Sequence, residues 1–259
     1  MTRLCILSPH LDDAVWSLGG WLARQHEYES VVVITVFDGD PEEANLGQLR
    51  EAEHTWRMQG SPHLRRNEDI RALETLGCLR LGLGCLDAPM RRDKGRYIFP
   101  TPESMFDDLI PMRDEIVEDV GNRLMNVLGE DDRLIAPLSL GKHCDHRVVS
   151  EVAQNISAPV FGWYEDFPYV EGMEEKIISE RASFLAGERT EPSIVAVDRD
   201  QWLKAALQYR SQVIRLFGNS NNFTKRLNNH CSHNEFSAAL RIWRTASSYF
   251  SGDPSAANK

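Results

Sequence analysis

The chain has 259 residues, 42% of them hydrophobic, and a formal net charge of −10 from 29 basic against 39 acidic side chains. That length and apolar content suit one packed α/β domain. The acidic balance argues against nucleic acid or an anionic membrane as partner, since like charges repel over a Debye length of about 8 Å. No window approaches the ~18 consecutive apolar residues of a membrane span. Met1-Thr2-Arg3 leads straight into an apolar run, without the charged and apolar regions of a leader peptide. Five cysteines with no CxxC pair fit a reducing compartment, so a cytoplasmic location is expected.

Residues 4–7 predict a short strand that ends in Ser8-Pro9-His10-Leu11-Asp12-Asp13. In an open α/β sheet, ligands bind outside the carboxyl ends of strands. An imidazole and two carboxylates there read as half of a metal site, with one carboxylate left over as a base. The local alternative is that Asp12 or Asp13 caps the helix predicted over 14–26, where Val15, Leu18 and Leu22 share a face. Gly19-Gly20 inside that helix costs about 1 kcal/mol per glycine against alanine, which implies close approach to the sheet or the site. Residues 30–37, rich in Val and Ile, predict a strand apolar on both faces, in the buried middle of a parallel sheet.

The polar connection 42–62, with a helical stretch over 49–56, reads as a wall or lid of the pocket. His54 and His63 read as surface or loop residues. A helix over 64–76 stops at Gly77. Arg65 and Glu68 share a face of it, which by spacing alone reads as an exposed ion pair. A strand over 79–83 brings Asp87 to the ligand-binding edge, where a carboxylate accepts from two sugar hydroxyls. A long helix over 107–128 is expected to bury Ile110, Met112, Ile116, Val120, Leu124 and Val127.

The strand 134–138 ends in a second cluster, Gly141-Lys142-His143-Cys144-Asp145-His146, followed by an amphipathic segment over 148–156. Two strand ends would thus bring His, Asp, Asp and His, Asp, His to one edge. Zinc in a hydrolytic site takes three protein ligands and keeps one open position. These six residues supply three ligands and leave the rest for proton handling; spacing alone permits either Asp12 or Asp13 as ligand. Cys144 reads as packing. A strand over 158–163 ends in Tyr164-Glu165-Asp166, acids that shape the pocket, accept from metal-bound histidines, or cap a loop. Further on, the pattern predicts a strand at 194–197, a helix over 202–217, an Asn-rich loop over 219–229 and a helix over 235–250. His230 and His233 carry no assigned role, and the tail from 252 reads as disordered. The whole, 1–259, is taken as a single domain with a helical C-terminal extension from about 200.

The two clusters resemble those of the PIG-L or LmbE-type N-acetylglucosaminyl deacetylases, whose motifs read Pro-His-Pro-Asp-Asp and His-x-Asp-His. Arg65-Arg66-Asn67-Glu68-Asp69, Ala72, Leu76-Gly77, Leu83, Asp87 and Arg91 resemble that family's bacterial branch. So do Tyr164-Glu165-Asp166-Phe167-Pro168-Tyr169, Lys204, Tyr209 and Ser211-Gln212, so the likeness runs from about residue 4 to about 212. Leu11 departs from the commonest form, which has Pro, at a position that is not a ligand.

The resemblance implies a Rossmann-like three-layer sandwich with a mostly parallel central sheet and a metal site at the carboxyl edge of the strands. It implies Zn2+ held by His10, Asp13 and His146, and Fe2+ or Co2+ suit the same donor set. Asp12 is then the base, His143 the group that stabilises the oxyanion and protonates the amine, and Asp145 the carboxylate that holds and charges His143. Arg65 and Asp87 are the substrate contacts. The implied reaction removes an N-acetyl or longer acyl group from a 2-acetamido sugar in a small glycoside or antibiotic-type precursor, without nucleic acid or membrane. Two alternatives are a metal amidase acting on a thiol conjugate and a non-catalytic sugar or nucleotide binder on a Rossmann-like scaffold. The full set of metal and proton-transfer residue types favours the hydrolase.

Overall fold

The structure, a computed structural model, describes residues 2–40, 61–186, 190–231 and 238–244. Its strands are β1 (Arg3–Ser8), β2 (Ser30–Thr35), β3 (Leu79–Gly82), a short pair β4 (Arg92–Asp93) and β5 (Arg96–Tyr97), β6 (Arg133–Pro137), β7 (Val160–Tyr164), β8 (Glu191–Ala196) and β9 (Ala239–Arg244). The helices are α1 (Asp13–Leu22), α2 (Pro62–Leu76), α3 (Arg113–Met125), α4 (Cys144–Asn155), α5 (Glu175–Ala186), α6 (Arg199–Ala206), α7 (Arg210–Phe217) and α8 (Ser220–His230).

Seven strands make one sheet in the order β3-β2-β1-β6-β7-β9-β8. The first five run parallel, and β9 lies antiparallel between β7 and β8. Alternating side chains of the central strands feed two cores. Leu4, Ile6, Val31, Val33 and Ile135 pack with α1, α2 and α6 to α8, while Cys5, Leu7, Val32, Ile34, Leu134 and Ala136 pack with α3 to α5. Burial on both faces is why these strands read as continuous apolar runs. The result is the expected three-layer α/β sandwich. From β1 the chain winds outward through β2 to β3, and from β6 through β7 on the other side, so the β1/β6 boundary is the topological switch point where a crevice opens. Among the described residues no helix is long and apolar enough to cross a membrane.

The glycine pair in α1 has the predicted close neighbour, but it is a helix rather than the sheet. A Cβ on Gly19 would lie 2.6 Å from the Trp202 ring of α6, and one on Gly20 would lie 2.8 Å from both Trp202 and Val197. Trp202 is fully buried there and donates from Nε1 to Val15 O at 2.7 Å.

Four predicted elements need correction. The helix expected over 107–128 is only α3; Met112 precedes it in the left-handed region, at φ 56°, and is exposed. The helix over 202–217 is broken into α6 and α7 at Tyr209, whose ψ of 56° is not helical. The Asn-rich stretch is helix α8, capped by the Asn219 side chain, which accepts from Asn222 N at 2.9 Å. Residues 239–244, expected in a helix, form β9, because strands on both sides satisfy its backbone and tertiary pairing overrides a weak local preference. The predictions for 49–56 and the tail, and those for His54 and His233, lie outside the described residues.

Candidate metal centre

The turn from β1 into α1 is held by its own side chains. Ser8 Oγ donates to His10 O at 2.5 Å and accepts from Ala14 N at 3.0 Å, and His10 N donates to Asp13 Oδ2 at 2.8 Å. Asp12 occupies the N-cap position of α1 but makes no side-chain cap bond. The capping role is therefore not what keeps Asp12 there. At the end of β6 the chain turns through Ser139 and Lys142, both with φ near +60° (63° and 61°), and enters α4. His143 caps that helix, its Nδ1 accepting from Asp145 N at 3.2 Å.

These two turns meet across the switch point. Asp13 Oδ2 lies 3.1 Å from His10 Nδ1 and 3.2 Å from His146 Nε2, and the three donor atoms fall within 4.8 Å of one another. All three residues are buried. His146 Nε2 is a buried nitrogen with no hydrogen-bond partner, while its Nδ1 is 2.6 Å from Asp166 Oδ1. The Nε2 nitrogen faces the Asp13 carboxylate without a well-formed hydrogen bond, an arrangement a shared cation would complete. The donor set, two imidazoles and a carboxylate, is one that a divalent ion of the zinc type takes, leaving a position open. The residues therefore fit such an ion.

The local field agrees. Burial alone would discharge the histidines, yet neighbouring Asp13 and Asp166 hold His146 up at about 9, and Asp87, Asp13 and Asp145 raise His10 well above its usual value. Burial alone would raise Asp13, yet His146 and His10 hold it well below the carboxylate range. A site that draws protons onto its imidazoles this strongly offers the same attraction to a metal cation.

Around this set lie the other predicted residues. Asp12 is buried with Arg65 Nη2 at 3.8 Å, and burial pushes its carboxyl up while Arg65 pulls it back. Arg65 also faces Asp87, Nη1 to Oδ2 at 3.4 Å, and Asp87 Oδ1 lies 3.6 Å from His10 Nε2. Arg65 thus belongs to the site rather than to an exposed pair with Glu68, whose carboxylate instead accepts from Ser211. His143 stands edge-on to His10, ring centroids 5.0 Å apart.

Asp145 does not do what was expected of it. Its carboxylate reaches His10 Nε2 at 3.0 Å and Arg91 Nη2 at 2.5 Å; only its backbone N–H reaches the His143 ring. Burial, partly opposed by Asp145, pushes His143 down to about 4, so its imidazole is neutral at neutral pH. The expectation that Asp145 charges His143 is thereby corrected: the distance to His10 is short and the desolvation of His143 outweighs the negative charge nearby.

Sequence reasoning left open what Tyr164, Glu165 and Asp166 do, and the structure separates them. Asp166 accepts from His146 and from the backbone N–H of Ser139 at 2.7 Å; Glu165 accepts from Trp243 Nε1 at 2.8 Å; Tyr164 donates to Leu7 O at 2.9 Å. Their place at a strand end signalled all three, but not which one faced a histidine. Tyr169 was also missed as a wall of the site. Its ring lies 5.1 Å from that of His146 and so close over Gly141 that a Cβ there would meet it at 2.0 Å. Cys144 is buried among apolar side chains, and His63 is exposed on α2 beside Asn67. His230 is buried against Phe167, centroids 5.0 Å apart.

Residues 5–157, which include both histidine turns, match the profile described as GlcNAc-PI de-N-acetylase. The chain belongs to the PIG-L family. A curated relative, the 2'-N-acetylparomamine deacetylase of Streptomyces fradiae, is 28% identical over 183 residues, which are 69% of this chain and 61% of the relative. The chain thus matches less than two thirds of that relative's length. Among solved PIG-L-like structures, a deacetylase of the teicoplanin biosynthesis pathway bound to bog is 26% identical, with a TM-score of 0.67 over 95% of this chain and 100% of the other. The zinc-inhibited form of a teicoplanin deacetylase is likewise 26% identical, with a TM-score of 0.68 over the same shares.

Proposed function

We propose that this PIG-L family chain is a zinc-dependent hydrolase that removes the N-acetyl group from a 2-acetamido sugar of a small glycoside or antibiotic-type precursor. The observation that carries the reading is the convergence of His10, Asp13 and His146 on one point, with a buried carboxylate, Asp12, beside it and outside the donor set. The relatives named as deacetylases of paromamine and teicoplanin pathways support the substrate class. Five buried free cysteines support action in a reducing cytoplasm.

An acetamide resists water because water is a weak nucleophile and the amine a poor leaving group. His10, Asp13 and His146 would hold a divalent ion, which would supply Lewis acidity to the amide carbonyl and to an attacking water. Asp12 accepts the proton of that water; burial raises its carboxyl toward the range a general base needs, and Arg65 keeps it oriented. His143, with Nδ1 occupied by the Asp145 N–H, carries its proton on Nε2 and donates it as a hydrogen bond to the oxygen of the tetrahedral carbon. Because His143 is neutral, the proton for the departing amine comes from Asp12, which returns the one it took. Arg65 and Asp87, side by side, bind the sugar hydroxyls.

The test is Asp12→Asn assayed on a panel of N-acetylated aminosugar glycosides for release of free amine. Turnover is expected to fall about 10²- to 10⁴-fold, the usual worth of a general base, with metal content unchanged. Undiminished turnover would show that Asp12 is not the base.

A further inference from the structure

Two donor sets overlap at His10. One is His10, Asp13 and His146; the other is His10, His143 and Asp145, and in each the donor atoms lie within 4.8 Å of one another. An imidazole has two nitrogens, so the bare geometry offers His10 to an ion on either side. What distinguishes the sides is Arg91. Its Nη2 is 2.5 Å from Asp145 Oδ1, its Nε donates to Leu86 O at 2.9 Å, and its guanidinium lies over the Phe37 ring at 4.6 Å. The other carboxylate oxygen of Asp145 accepts from Ala88 N at 3.1 Å and His10 Nε2 at 3.0 Å. Asp145 is wholly buried, and its two oxygens already receive three nitrogen donors, that of Arg91 carrying a fixed positive charge, with Cys144 Sγ a weaker fourth at 3.8 Å.

We propose that Arg91 is a positioning residue that commits His10 to a single ion. By fixing Asp145 it holds the proton of His10 on Nε2 and turns Nδ1 toward Asp13 and His146. Its guanidinium also puts a positive charge on the carboxylate of Asp145, which weighs against a second cation there. The inference rests on the reading of His10, Asp13 and His146 as metal ligands. Carboxylates behind metal-bound histidines fix the ring and its tautomer, and their loss typically weakens metal binding 10- to 100-fold.

The other histidine supplies the contrast. His146 leans on Asp166, which is held by the backbone N–H groups of Ser139 and Leu140, at 2.7 and 3.3 Å. Among the described residues no competing donor set lies behind His146, where Asp166 is held by backbone groups. The arginine stands behind the histidine that has one.

The experiment is zinc titration against a chromophoric chelator, with total metal content measured, on the wild-type chain, Arg91→Met and Asp145→Asn. The wild type is expected to bind one equivalent. Arg91→Met is expected to bind its first equivalent about 10- to 100-fold more weakly and to take up a second, because Asp145 then has a free oxygen and no resident cation. Wild-type affinity and a single equivalent in Arg91→Met would overturn the inference. Should Arg91→Met fail to fold, Asp145→Asn decides: it keeps an acceptor for His10 Nε2 but loses the charge, so weaker zinc binding supports the inference and unchanged binding overturns it. A wild-type chain that binds no zinc overturns the ligand reading, and the inference with it, so the two failures are told apart.

Discussion

Among the adjacent acidic pairs buried in the described residues, Asp12-Asp13 at the start of α1 and Glu68-Asp69 in the middle of α2 make the instructive comparison. Around the second pair every oxygen is matched. Asp69 accepts from Tyr209 Oη at 2.7 Å and Arg80 Nε at 2.8 Å, and Glu68 accepts from Ser211 N at 2.9 Å and Ser211 Oγ at 2.6 Å. Around the first pair the partners are of another kind. Asp12 has its arginine only at 3.8 Å, and Asp13 Oδ2 accepts from His10 N at 2.8 Å and faces two imidazole nitrogens, His10 Nδ1 at 3.1 Å and His146 Nε2 at 3.2 Å. Burial and acidity are common to both pairs, so neither marks function. What differs is the partners: carboxylates matched to hydroxyl, backbone and guanidinium donors bolt the fold together, whereas a carboxylate facing imidazole nitrogens at a strand end is disposed to share a cation with them.

The sharpest way to break this contrast is to remove one acid from each pair. Asp13→Ala should abolish metal uptake and lower turnover by about 10³-fold or more, the loss of several kcal/mol of charge stabilisation at 1.36 kcal/mol per decade. Metal analysis and a single-substrate assay check it; retained metal would place the ligand elsewhere.

The second pair should answer to pH through stability instead. Burial pushes Asp69 up to about 7 in the folded protein, against the pull of Tyr209 and Arg80, while an unfolded Asp titrates near ~3.9. Between those values the folded state keeps a proton that the unfolded chain has released, so stability falls as pH rises from about 4 to about 7. The full span is at most ~4 kcal/mol at 1.36 kcal/mol per unit. Asp69→Asn cannot ionise, so the difference between urea midpoints at about pH 5 and about pH 7.5 should shrink in that variant. An unchanged difference would assign the pH dependence to other groups. Tyr209→Phe should cost less, about 1–3 kcal/mol, for one donor lost to a buried carboxylate, with kcat unmoved.

The comparison also explains what could be read from sequence. His10, Asp12, Asp13, His143, Asp145 and His146 were all visible as polar residues interrupting apolar runs, because a strand end in a parallel sheet has a fixed relation to its neighbours. The pairing of Asp145 with His10 was not visible, since it depends on how α4 and the loop carrying Ala88 and Arg91 approach in three dimensions. Strands β1, β2 and β6, buried on both faces, announced themselves; β9 did not, because its place between β7 and β8 is set by partners distant in sequence. Gly19-Gly20 showed that something came close, but only the fold shows that it is Trp202.

The stretch after Asn219 sharpens that lesson at the smallest scale. Six of the residues from Asn219 to Asn229 are Asn or Ser, which taken singly favour loops because their side chains compete for the backbone. Here the same chemistry starts a helix. Asn219 accepts from Asn222 N at 2.9 Å, and Phe223 and Leu227, four apart, bury the inner face against Trp16 and its neighbours. If the cap rather than composition decides the outcome, Asn219→Ala should lower stability by ~1 kcal/mol, seen as a shifted denaturation midpoint, and leave turnover and zinc affinity alone. A loss near zero would mean that the burial of Phe223 and Leu227 holds α8 unaided. A loss of activity would mean that α8 is coupled to the site through Phe167 and the turn that carries Asp166.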